Sequence, residues 1–274
     1  MVNFYFYGVL PRHYSSGPLY RFRFQGMQTN EKIVLITGGA KRVGAATCRM
    51  LHAQGARLMV HYRSSYDEAQ VLADELNRLR RDSCALVQGD LLHIEALPQL
   101  VQATLKQYGR LDVLINNASS FYPTIVGEIN LENWDDLIGT NLKAPLFLSQ
   151  AAADALRHSH GCIVNIADIH AERPLKRYVV YSIGKAGLVA MTKSLAHELG
   201  PQVRVNAVAP GPVMWPEDDP SFDDHERRRI IAHTALKREG SAEDIARAVQ
   251  FLVYDAPYVT GQILAVDGGR SASL

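Results

Sequence analysis

The chain has 274 residues, 29 of them basic and 28 acidic, which gives a net charge of +1. This balance offers no electrostatic reason to expect nucleic acid or an anionic membrane as a partner. The length suits one α/β domain with a large core better than two small domains. No apolar run approaches the roughly 18 residues that cross a bilayer, so we expect a soluble protein.

The cysteines bear on the compartment. Cys48, Cys84 and Cys162 are far apart in the chain and have neither a paired nor a metal-type spacing. Isolated thiols of this kind suit a reducing compartment better than they suit disulfides or a zinc site. We therefore expect a cytoplasmic location.

The first 26 residues differ in character from the rest. Met1 to Gly26 is rich in Tyr, Phe and Arg, has no acidic residue, and shows neither a sustained apolar core nor a helix or strand period. We expect a disordered extension or a misassigned start, with Met27 as the true first residue. A transit peptide is a further alternative, although serine is sparse and aromatic residues are many. The folded domain is predicted to span 27–274.

Seven short apolar runs follow, separated by segments of helix length. The predicted strands are Ile33 to Thr37, Arg57 to Tyr62, Ala85 to Gly89, Val113 to Asn117, Cys162 to Ala167, Arg204 to Ala209 and Gln262 to Val266. Amphipathic segments such as Tyr66 to Arg81 and Leu97 to Tyr108 lie between them. Apolar strands that alternate with helices indicate parallel βαβ units covered on both faces. The predicted fold is a single-domain α/β protein with a Rossmann-type, doubly wound parallel sheet of about seven strands and helices on both faces.

The turn after the first strand has the composition of a phosphate-binding turn. It reads Thr37-Gly38-Gly39-Ala40-Lys41-Arg42-Val43-Gly44. Gly38 permits a tight turn and Gly44 lets the helix pack close to the strand, while helix N-terminal amides bind a pyrophosphate. Because the motif follows an apolar strand and opens a helix, it predicts dinucleotide binding rather than a plain turn.

The end of the second strand indicates which dinucleotide binds. It reads His61-Tyr62-Arg63-Ser64-Ser65, and the first carboxylate after it is Asp67. NAD-preferring sites commonly carry an acid at this place, which would repel a 2′-phosphate. Arg63 offers a planar cation and Ser64 a hydroxyl, and both suit that phosphate. NADPH is the predicted cofactor; the alternative is a solvated Arg63 followed by a serine that caps the next helix.

Three proton-handling side chains are spaced so that they can meet. Asp168 precedes Tyr181 by 13 residues, and Lys185 follows Tyr181 by one helical turn. A lysine four residues after a tyrosine lies on the same helix face and can stabilise its phenolate. Proton transfer to a substrate then becomes practicable, so the trio indicates redox chemistry. Taken alone, the spacing also fits an amphipathic helix with a solvated lysine.

A long insertion follows the sixth predicted strand. Residues 211–234 are rich in Pro, Asp and Arg. Long irregular loops in compact domains usually cover a site. We predict that this segment is a substrate lid.

Five features occur in one order along the chain: the glycine turn, Asn116-Asn117-Ala118, Asn141, Tyr181 and Lys185. In this combination the chain resembles the short-chain dehydrogenase/reductase family from about residue 30 to 270. The resemblance implies that Asp90 contacts adenine and that Asn141 holds a water in a proton relay to Lys185. The implied cofactor-binding residues are Gly38, Lys41, Arg42, Val43, Gly44, His61, Tyr62, Arg63, Ser64, Asp90, Leu91, Asn117, Ala118, Lys185, Pro210 and Gly211, of which the last two flank the nicotinamide.

The chain departs from the general family at three positions. Asp168 stands where the usual catalytic serine lies, and Arg42 replaces the middle glycine of the turn. Ser119 follows Asn-Asn-Ala where glycine is usual. These changes are similar to those of pteridine reductases, as is the run Asn-Ala-Ser-Ser-Phe-Tyr at 117–122. The resemblance therefore implies a pterin substrate and a catalytic trio of Asp168, Tyr181 and Lys185, with Asn141 in the relay.

The same resemblance assigns the steps of the reaction. NADPH would supply the hydride, Tyr181 and Asp168 would share delivery of a proton to a ring nitrogen, and Lys185 would bind the nicotinamide ribose and lower the pKa of Tyr181. A carboxyl group in a closed site can keep or regain its acid form by desolvation and so relay that proton. The alternative for Asp168 is a surface aspartate that caps a loop.

A pterin is flat and electron-poor, so its site needs an aromatic side chain parallel to the nicotinamide. The resemblance implies that Phe121 stacks on the pterin, that Ser119 hydrogen-bonds its edge, and that Arg42 bridges pterin and pyrophosphate. Tyr178 is implied as a further pocket residue. Ordinary core packing is the alternative for Phe121 and Tyr178.

Other candidate residues have less definite roles. Met214 and Trp215 lie in the predicted lid. We expect either that they contact the substrate or, equally, that a buried Trp215 anchors the loop. His61, His170 and His225 show no ligand spacing, and we predict no metal site.

The chain also carries a signal for association. The helix around Tyr181 has more apolar residues than the single stripe that covers a sheet, which implies a second buried surface. In short-chain reductases that surface is another subunit, so we expect a homotetramer. By the same resemblance, the tail Gly268-Gly269-Arg270-Ser271 is expected to reach a neighbouring subunit's site.

Three functional interpretations are open at this point. The first is NADPH-dependent reduction of dihydropterins to tetrahydropterins, extending to oxidised pterins and dihydrofolate. The second is a generic carbonyl or 3-oxoacyl reductase, against which Asp168 and Phe121 argue. The third is a catalytically silent NADP-binding regulatory module, against which Tyr181 and Lys185 argue.

Overall fold

The computed structural model describes residues 31–215 and 222–272. The predicted extension of residues 1–26 lies outside the described residues, as do residues 216–221 of the predicted lid. The strands are β1 Ile33–Ile36, β2 Arg57–Tyr62, β3 Cys84–Gln88, β4 Val113–Asn116, β5 Cys162–Ile166, β6 Arg204–Pro210 and β7 Ile263–Val266. The α-helices are α1 Arg42–Ala53, α2 Tyr66–Leu79, α3 Leu97–Tyr108, α4 Leu131–Ile138, α5 Ala144–Ser159, α6 Val179–Leu199, α7 Asp224–Ala232 and α8 Ala242–Tyr254.

The seven strands form one sheet in the order β3-β2-β1-β4-β5-β6-β7, and every neighbouring pair is parallel. This confirms the predicted doubly wound sheet. The chain builds outward from β1 to β3, then returns to the other side of β1 with β4. The carboxyl ends of all strands therefore lie at one edge of the sheet, where ligands of such sheets bind.

Alternate strand residues pack on opposite faces of the sheet. Val34 joins a core cluster with residues of α1, α2 and α8. Leu35, the next residue, joins the cluster formed with α3, α5 and α6. The central strands β1, β4 and β5 are buried on both faces and therefore read as nearly continuous apolar runs. Apolar runs identified the edge strands as well, although β3 and β7 are only partly buried.

The predicted lid is not irregular throughout. Helix α7 lies within it, and Asp223 caps that helix by accepting a hydrogen bond from the Glu226 amide at 2.8 Å. Arg229 pairs with Glu226 at 2.6 Å, and Ile230 is buried. The interpretation of the whole segment as a loop was wrong, because the acidic and basic residues that suggested a loop cap and stabilise a helix.

Two further findings concern the chain as a whole. In the part of the chain that the structure describes, no helix combines the length and apolar character needed to span a bilayer. Cys48, Cys84 and Cys162 are buried free thiols. All three pack in the core cluster beneath α1, α2 and α8, as expected for isolated core cysteines.

Candidate active site

A cavity of about 610 Å³ lies at the carboxyl edge of the sheet. Its lining comes from the segments that follow the seven strands, together with α6 and the lid. The cavity-lining residues of 38–44, 61–65 and 90–91 form one side, which we call the glycine-turn side. Those of 119–121, 166–185 and 210–230 form the other, which we call the lid side. Every residue that the sequence assigned to cofactor binding lines this cavity, as do Ser119, Phe121, Asp168 and Tyr181.

The glycine turn packs so closely that side chains are excluded from it. Gly38 has a φ of +60°, and a Cβ there would lie 2.9 Å from the Ala118 Cα. A Cβ on Gly44 would lie 2.3 Å from the Gly38 carbonyl oxygen. Helix α1 starts at Arg42, within this turn, so its first residues line the cavity. A narrow backbone turn that opens a helix fits a pyrophosphate.

The turn is fastened to the end of β4. The Asn117 side chain donates from Nδ2 to the Thr37 oxygen at 2.9 Å and to the Gly38 oxygen at 2.8 Å. The Thr37 hydroxyl accepts from the backbone amides of Asn117 and Ala118 at 3.0 and 3.1 Å. The turn therefore keeps its shape through contacts that join β1 and β4.

His61 was assigned to cofactor binding, and its ring is engaged within the protein. It is only 2% exposed. Nδ1 accepts from the Gly38 amide at 3.2 Å, and Nε2 lies 3.1 Å from the Gly89 oxygen. Burial lowers the pKa of His61, although hydrogen bonding to Gly89 and the charge of Asp90 oppose the shift. The ring is a support of the glycine turn as well as part of the cavity wall.

The rim beyond β2 carries positive charge. Arg63 and Ser64 are exposed and line the cavity. Lys41 lines it too, and forms an ion pair with Glu68 at 2.5 Å in which both side chains are about half exposed. Asp90 is half-buried, and its Oδ1 accepts from the Leu92 amide at 3.0 Å. The residues predicted to select the 2′-phosphate and to contact adenine thus lie together.

Both oxygens of the Asp168 carboxylate accept hydrogen bonds. Tyr181 donates from its hydroxyl to Oδ2 at 2.7 Å. The amide of His170 donates to Oδ1 at 2.8 Å and so caps the short 3₁₀ turn Ile169–Ala171. The two interpretations of Asp168 are therefore not exclusive, because one oxygen caps a loop while the other binds the tyrosine in the cavity.

Lys185 lies beneath this pair but does not act on it as expected. Its Nζ donates to the Ile166 oxygen at 2.8 Å and lies 5.7 Å from the Tyr181 ring centroid. Burial lowers the pKa of Lys185 to about 8, opposed by the charge of Asp168. The pKa of Tyr181 is raised well above its usual value, chiefly by burial and then by Asp168. The structure therefore does not show the expected lowering of the Tyr181 pKa, because burial first, and then the charge and hydrogen bond of Asp168, raise it.

Asn141 is held in a turn of π-helix, Gly139–Lys143, between α4 and α5. Its Nδ2 donates to the Ser120 and Leu137 oxygens at 2.9 Å each, and its Oδ1 accepts from the Ser119 hydroxyl at 2.6 Å. Asn141 therefore positions the loop after β4 and itself lies outside the cavity lining. Such single π turns are frequent at functional sites, and the sequence carried no signal for this one.

Phe121 stands in a group of aromatic rings. It stacks on Tyr178, with centroids 4.5 Å apart and planes at 17°, and meets Tyr181 edge-on at 4.7 Å. Phe121 is half-buried and lines the cavity, so it is neither solvated nor sealed in the core. Tyr178 is 2% exposed and is not part of the described lining. The structure thus places Tyr178 as the packing partner of Phe121 instead of a pocket residue.

The lid contributes further side chains to the same space. Met214 and Trp215 line the cavity, and the Trp215 ring lies 5.8 Å from Phe222 and 5.7 Å from the Arg227 guanidinium. Trp215 thus both anchors the loop and faces the cavity. Arg42, whose φ of +52° is favoured by glycine, donates from Nη2 to the Met214 oxygen at 2.5 Å and the Trp215 oxygen at 3.2 Å. The substitution of arginine in the turn therefore ties the turn to the lid.

Arg270 lines this chain's own cavity, although the tail was expected to reach a neighbouring subunit. The tail turns back because Asp267 accepts from the Gly269 and Ser271 amides at 2.8 and 2.6 Å. Burial lowers the pKa of Arg270, and the charge of Arg229 lowers it further. The sequence analysis also missed other lining residues that have no motif around them: Leu175, Phe222 and Ile230.

Comparisons with known proteins cover most of the chain. A family model described as enoyl-(acyl carrier protein) reductase matches residues 38–271. Pteridine reductase 1 of Leishmania tarentolae is 36% identical over 280 aligned residues, which cover 87% of this chain and 96% of that protein. Short-chain dehydrogenase/reductase FrzI of Cladobotryum sp is 33% identical, covering 87% and 95%. The 3-oxoacyl-(acyl-carrier-protein) reductase FabG of Staphylococcus aureus is 32% identical, covering 87% and 97%.

Proposed function

Because the chain belongs to the short-chain dehydrogenase/reductase family of NAD(P)-dependent oxidoreductases, we propose that it is an NADPH-dependent pteridine reductase. It reduces dihydropterins to tetrahydropterins, with oxidised pterins and dihydrofolate as further substrates. One observation carries the proposal: the 2.7 Å hydrogen bond from Tyr181 to Asp168 lies in a cavity that Phe121 also lines. A relative named pteridine reductase 1, 36% identical, supports it.

The cofactor site fits a phosphorylated dinucleotide. The residues that would hold the pyrophosphate are those of the turn from Gly38 to Gly44, whose close packing leaves backbone amides as its binding groups. Arg63, Lys41 and Ser64 would bind the 2′-phosphate, because cations and a hydroxyl suit it and a carboxylate would repel it. When bound, NADPH supplies a hydride to a ring carbon of the substrate.

The protein supplies the accompanying proton. Because burial and Asp168 raise the pKa of Tyr181, its side chain is a phenol that holds a proton at its hydroxyl oxygen. That proton can pass to a pterin ring nitrogen, and Asp168 offers an adjacent oxygen through which a proton from solvent replaces it. Lys185, held by the Ile166 oxygen, would bind the nicotinamide ribose from below.

The lid side fits a flat heterocycle. Phe121 presents a ring whose tilt is fixed by Tyr178, so it can stack on a pterin without losing rotational freedom on binding. The Ser119 hydroxyl, which donates to Asn141 Oδ1, belongs to a residue that lines the cavity and would bind the edge of the ring. Residues 211–215 and 222–234, with Trp215 and Phe222 in contact, would close over the substrate as a lid.

A carbonyl or 3-oxoacyl reductase is the second candidate, since a relative of 32% identity carries the name 3-oxoacyl reductase. The two are separated by measuring NADPH oxidation with dihydrobiopterin, dihydromonapterin, dihydrofolate and an acetoacetyl thioester, each alone. We expect turnover of the pterins. Turnover of the thioester alone would refute the proposal, and cofactor binding without any turnover would indicate the silent regulatory module.

Asp168→Ser provides a matched control, because serine is the residue usual in the family. Serine can still accept from Tyr181 but cannot relay a proton as a carboxyl group does. We expect pterin turnover to fall by about 100-fold, the low end of general acid catalysis, while any thioester reduction is retained. Undiminished pterin turnover would show that the carboxylate has no part in proton delivery.

We also propose that the chain forms a homotetramer. Exposed apolar side chains lie on α5 and α6: Leu146 is 39% exposed, Phe147 38%, and Ile183 44%. Burial of such a surface against a second copy would remove it from water, and closed symmetric assemblies are the usual outcome. Light scattering should report four chains, and a single species at the monomer mass would refute this.

A further inference from the structure

The imidazole of His61 joins the ends of three strands. It stands on β2, its Nδ1 lies 3.2 Å from the Gly38 amide nitrogen after β1, and its Nε2 lies 3.1 Å from the Gly89 oxygen after β3. The backbone oxygen of His61 also accepts from the Gly39 amide at 3.1 Å. One residue therefore holds two consecutive peptide groups of the glycine turn.

These contacts allow only one protonation state of the ring. A backbone amide can only donate, so Nδ1 facing Gly38 must present a lone pair. A carbonyl oxygen can only accept, so Nε2 facing Gly89 must carry the proton. Neutral imidazole with its hydrogen on Nε2 satisfies both partners, whereas the other tautomer and the imidazolium do not.

We propose that His61 is a positioning residue for the cofactor: its neutral ring orients the Gly38 peptide for dinucleotide binding, and protonation of the ring weakens that binding. This rests on the proposed NADP(H) site. Gly38 is the first residue of a turn that tolerates little displacement, since a Cβ there would already lie 2.9 Å from Ala118. Rotation of its peptide would change the geometry of the amides that follow.

Protonation would oppose this geometry directly. An imidazolium carries a hydrogen on Nδ1 that points at the Gly38 amide hydrogen, so the hydrogen bond is replaced by repulsion. The charged groups at the same strand ends are Asp90 after β3, Arg63 after β2, and the turn residues Lys41, which is paired with Glu68, and Arg42. Asp90 favours the charged ring, but burial outweighs it and sets the pKa of His61 below its usual 6.5. The loss of dinucleotide affinity caused by protonation of His61 is therefore expected only at pH values below 6.5.

The wild-type protein gives the first test. Nitrogen-15 NMR of labelled histidine distinguishes the two tautomers and the imidazolium. At neutral pH, one buried ring should show a protonated Nε2 and an unprotonated Nδ1, and this signal should be absent from a His61 variant. A protonated Nδ1 in that ring at neutral pH would overturn the proposal without any binding measurement.

Two variants separate the two contacts. The Asn side-chain oxygen occupies the place of Nδ1, so His61→Asn retains an acceptor for Gly38, whereas His61→Gln reaches the place of Nε2 and retains only the Gly89 contact. Calorimetric titration with NADP⁺ at neutral pH should show affinity within about threefold of wild type for His61→Asn and a loss of about tenfold for His61→Gln, the size of one hydrogen bond. Equal affinities of the two variants would contradict the role assigned to Gly38.

Acid pH gives the complementary readout. As the pH falls below 6.5, wild-type affinity for NADP⁺ should fall more steeply than that of His61→Asn, which cannot titrate. The 2′-phosphate of NADP⁺ titrates in the same range in both proteins, so the difference between them isolates the ring. Tighter binding by wild type at acid pH would mean that the imidazolium attracts the phosphates, and would overturn the proposal.

Failure of this inference is distinct from failure of the proposed function. NADP⁺ titration requires no pterin, so a protein that shows the expected tautomer and variant affinities but reduces no pterin would refute only the substrate. A protein that reduces pterins yet binds NADP⁺ independently of His61 would refute only the positioning role. Circular dichroism would test whether each variant is folded. If a variant is not folded, the tautomer that NMR finds in the wild-type protein still tests the proposal.

Discussion

On the glycine-turn side of the cavity the binding groups are backbone atoms held by neighbours in the sheet, whereas on the lid side they are side chains brought from loops. The Gly38 oxygen is fixed by Asn117 at 2.8 Å, within a network that joins β1, β2 and β4. Phe121 and Phe222, 6.3 Å apart between ring centroids, come from segments about 100 positions apart in the chain. The residues that form the first side are therefore contiguous in the sequence, although strand neighbours hold them in place, whereas those of the second side come together only in the complete fold.

This contrast predicts that the two sides of the cavity have separate functions. Changes on the glycine-turn side should alter cofactor affinity and leave the chemistry intact. Changes to the aromatic rings, the Tyr181 hydroxyl and the Asp168 carboxylate of the lid side should alter turnover and substrate choice and leave cofactor affinity intact, because these groups would meet the substrate; Lys185, Pro210 and Gly211 are excepted, since they are assigned to the cofactor. The substitutions that follow test this division, beginning with the largest expected effect.

Tyr181→Phe removes the hydroxyl that Asp168 accepts at 2.7 Å and leaves the ring that packs edge-on against Phe121. We expect kcat for pterin reduction to fall by about two to four decades, the range for loss of a general acid, while NADPH affinity changes little. Stopped-flow turnover and fluorescence titration measure the two quantities. Retained activity would exclude the tyrosine as the proton donor.

Arg63→Ala should act in the opposite way. Loss of a charge-assisted contact to the 2′-phosphate is expected to weaken NADPH binding by about 10- to 100-fold, and NADH binding should stay unchanged because NADH has no such phosphate. Arg63→Lys is the matched control, since it keeps the charge but loses the planar fork. Its NADPH affinity should lie between that of the wild type and that of Arg63→Ala. An unchanged preference would place the phosphate site elsewhere.

The glycine-turn side could be predicted because its evidence is continuous in the sequence. The seven strands are predominantly apolar since helices cover both faces of most of the sheet, and the turn from Thr37 to Gly44 combines a strand end, tight packing and a helix start in eight residues. Each of these features is a local requirement on residue type. A single sequence therefore identified them without knowledge of the tertiary structure.

The lid side could be predicted only in part, because its contacts depend on tertiary structure. Tyr181 and Asp168 were paired by spacing, yet the effect of Asp168 on the tyrosine pKa depends on which oxygen meets the hydroxyl. Tyr178, the residue before helix α6, stacks on Phe121 from a different loop, a contact that spacing in the sequence does not predict. Arg270 lines its own chain's cavity because Asp267 stabilises the turn in which it lies, and no sequence motif predicts that turn.

Phe121→Leu tests whether the lid side selects the substrate. Leucine keeps an apolar group in the cavity but loses the stacking face, a contribution of about 0.5 to 1.5 kcal/mol, so the KM for dihydropterins should rise by up to about tenfold. The KM for NADPH should not change. Tyr178→Leu is the matched comparison: it keeps the Phe121 ring but removes the ring that fixes its tilt, so it should destabilise the protein and raise the KM less than Phe121→Leu does. A rise in the NADPH KM alone would reverse the assignment of Phe121.

Arg42 belongs to both sides, and its replacement should give the smallest effect. It lies in the glycine turn with a φ of +52° while its guanidinium donates to the Met214 and Trp215 oxygens in the lid. Arg42→Gly restores the residue usual in the family and relieves a left-handed conformation that costs about 1 kcal/mol, which roughly offsets the lost exposed hydrogen bonds. The melting temperature should therefore shift by no more than about 4 °C.

Arg42→Gly should change the KM for the pterin, because it removes the contacts that hold the lid. Without the two hydrogen bonds the segment that carries Met214 and Trp215 is less constrained, so the pterin KM should rise about threefold and exceed any loss of NADPH affinity. Arg42→Lys separates charge from tether, since a lysine cannot donate to both carbonyls from a rigid fork, and should resemble Arg42→Gly in pterin KM while retaining the attraction to phosphate. A loss confined to NADPH affinity would assign Arg42 to the glycine-turn side alone, and the two sides would then be independent.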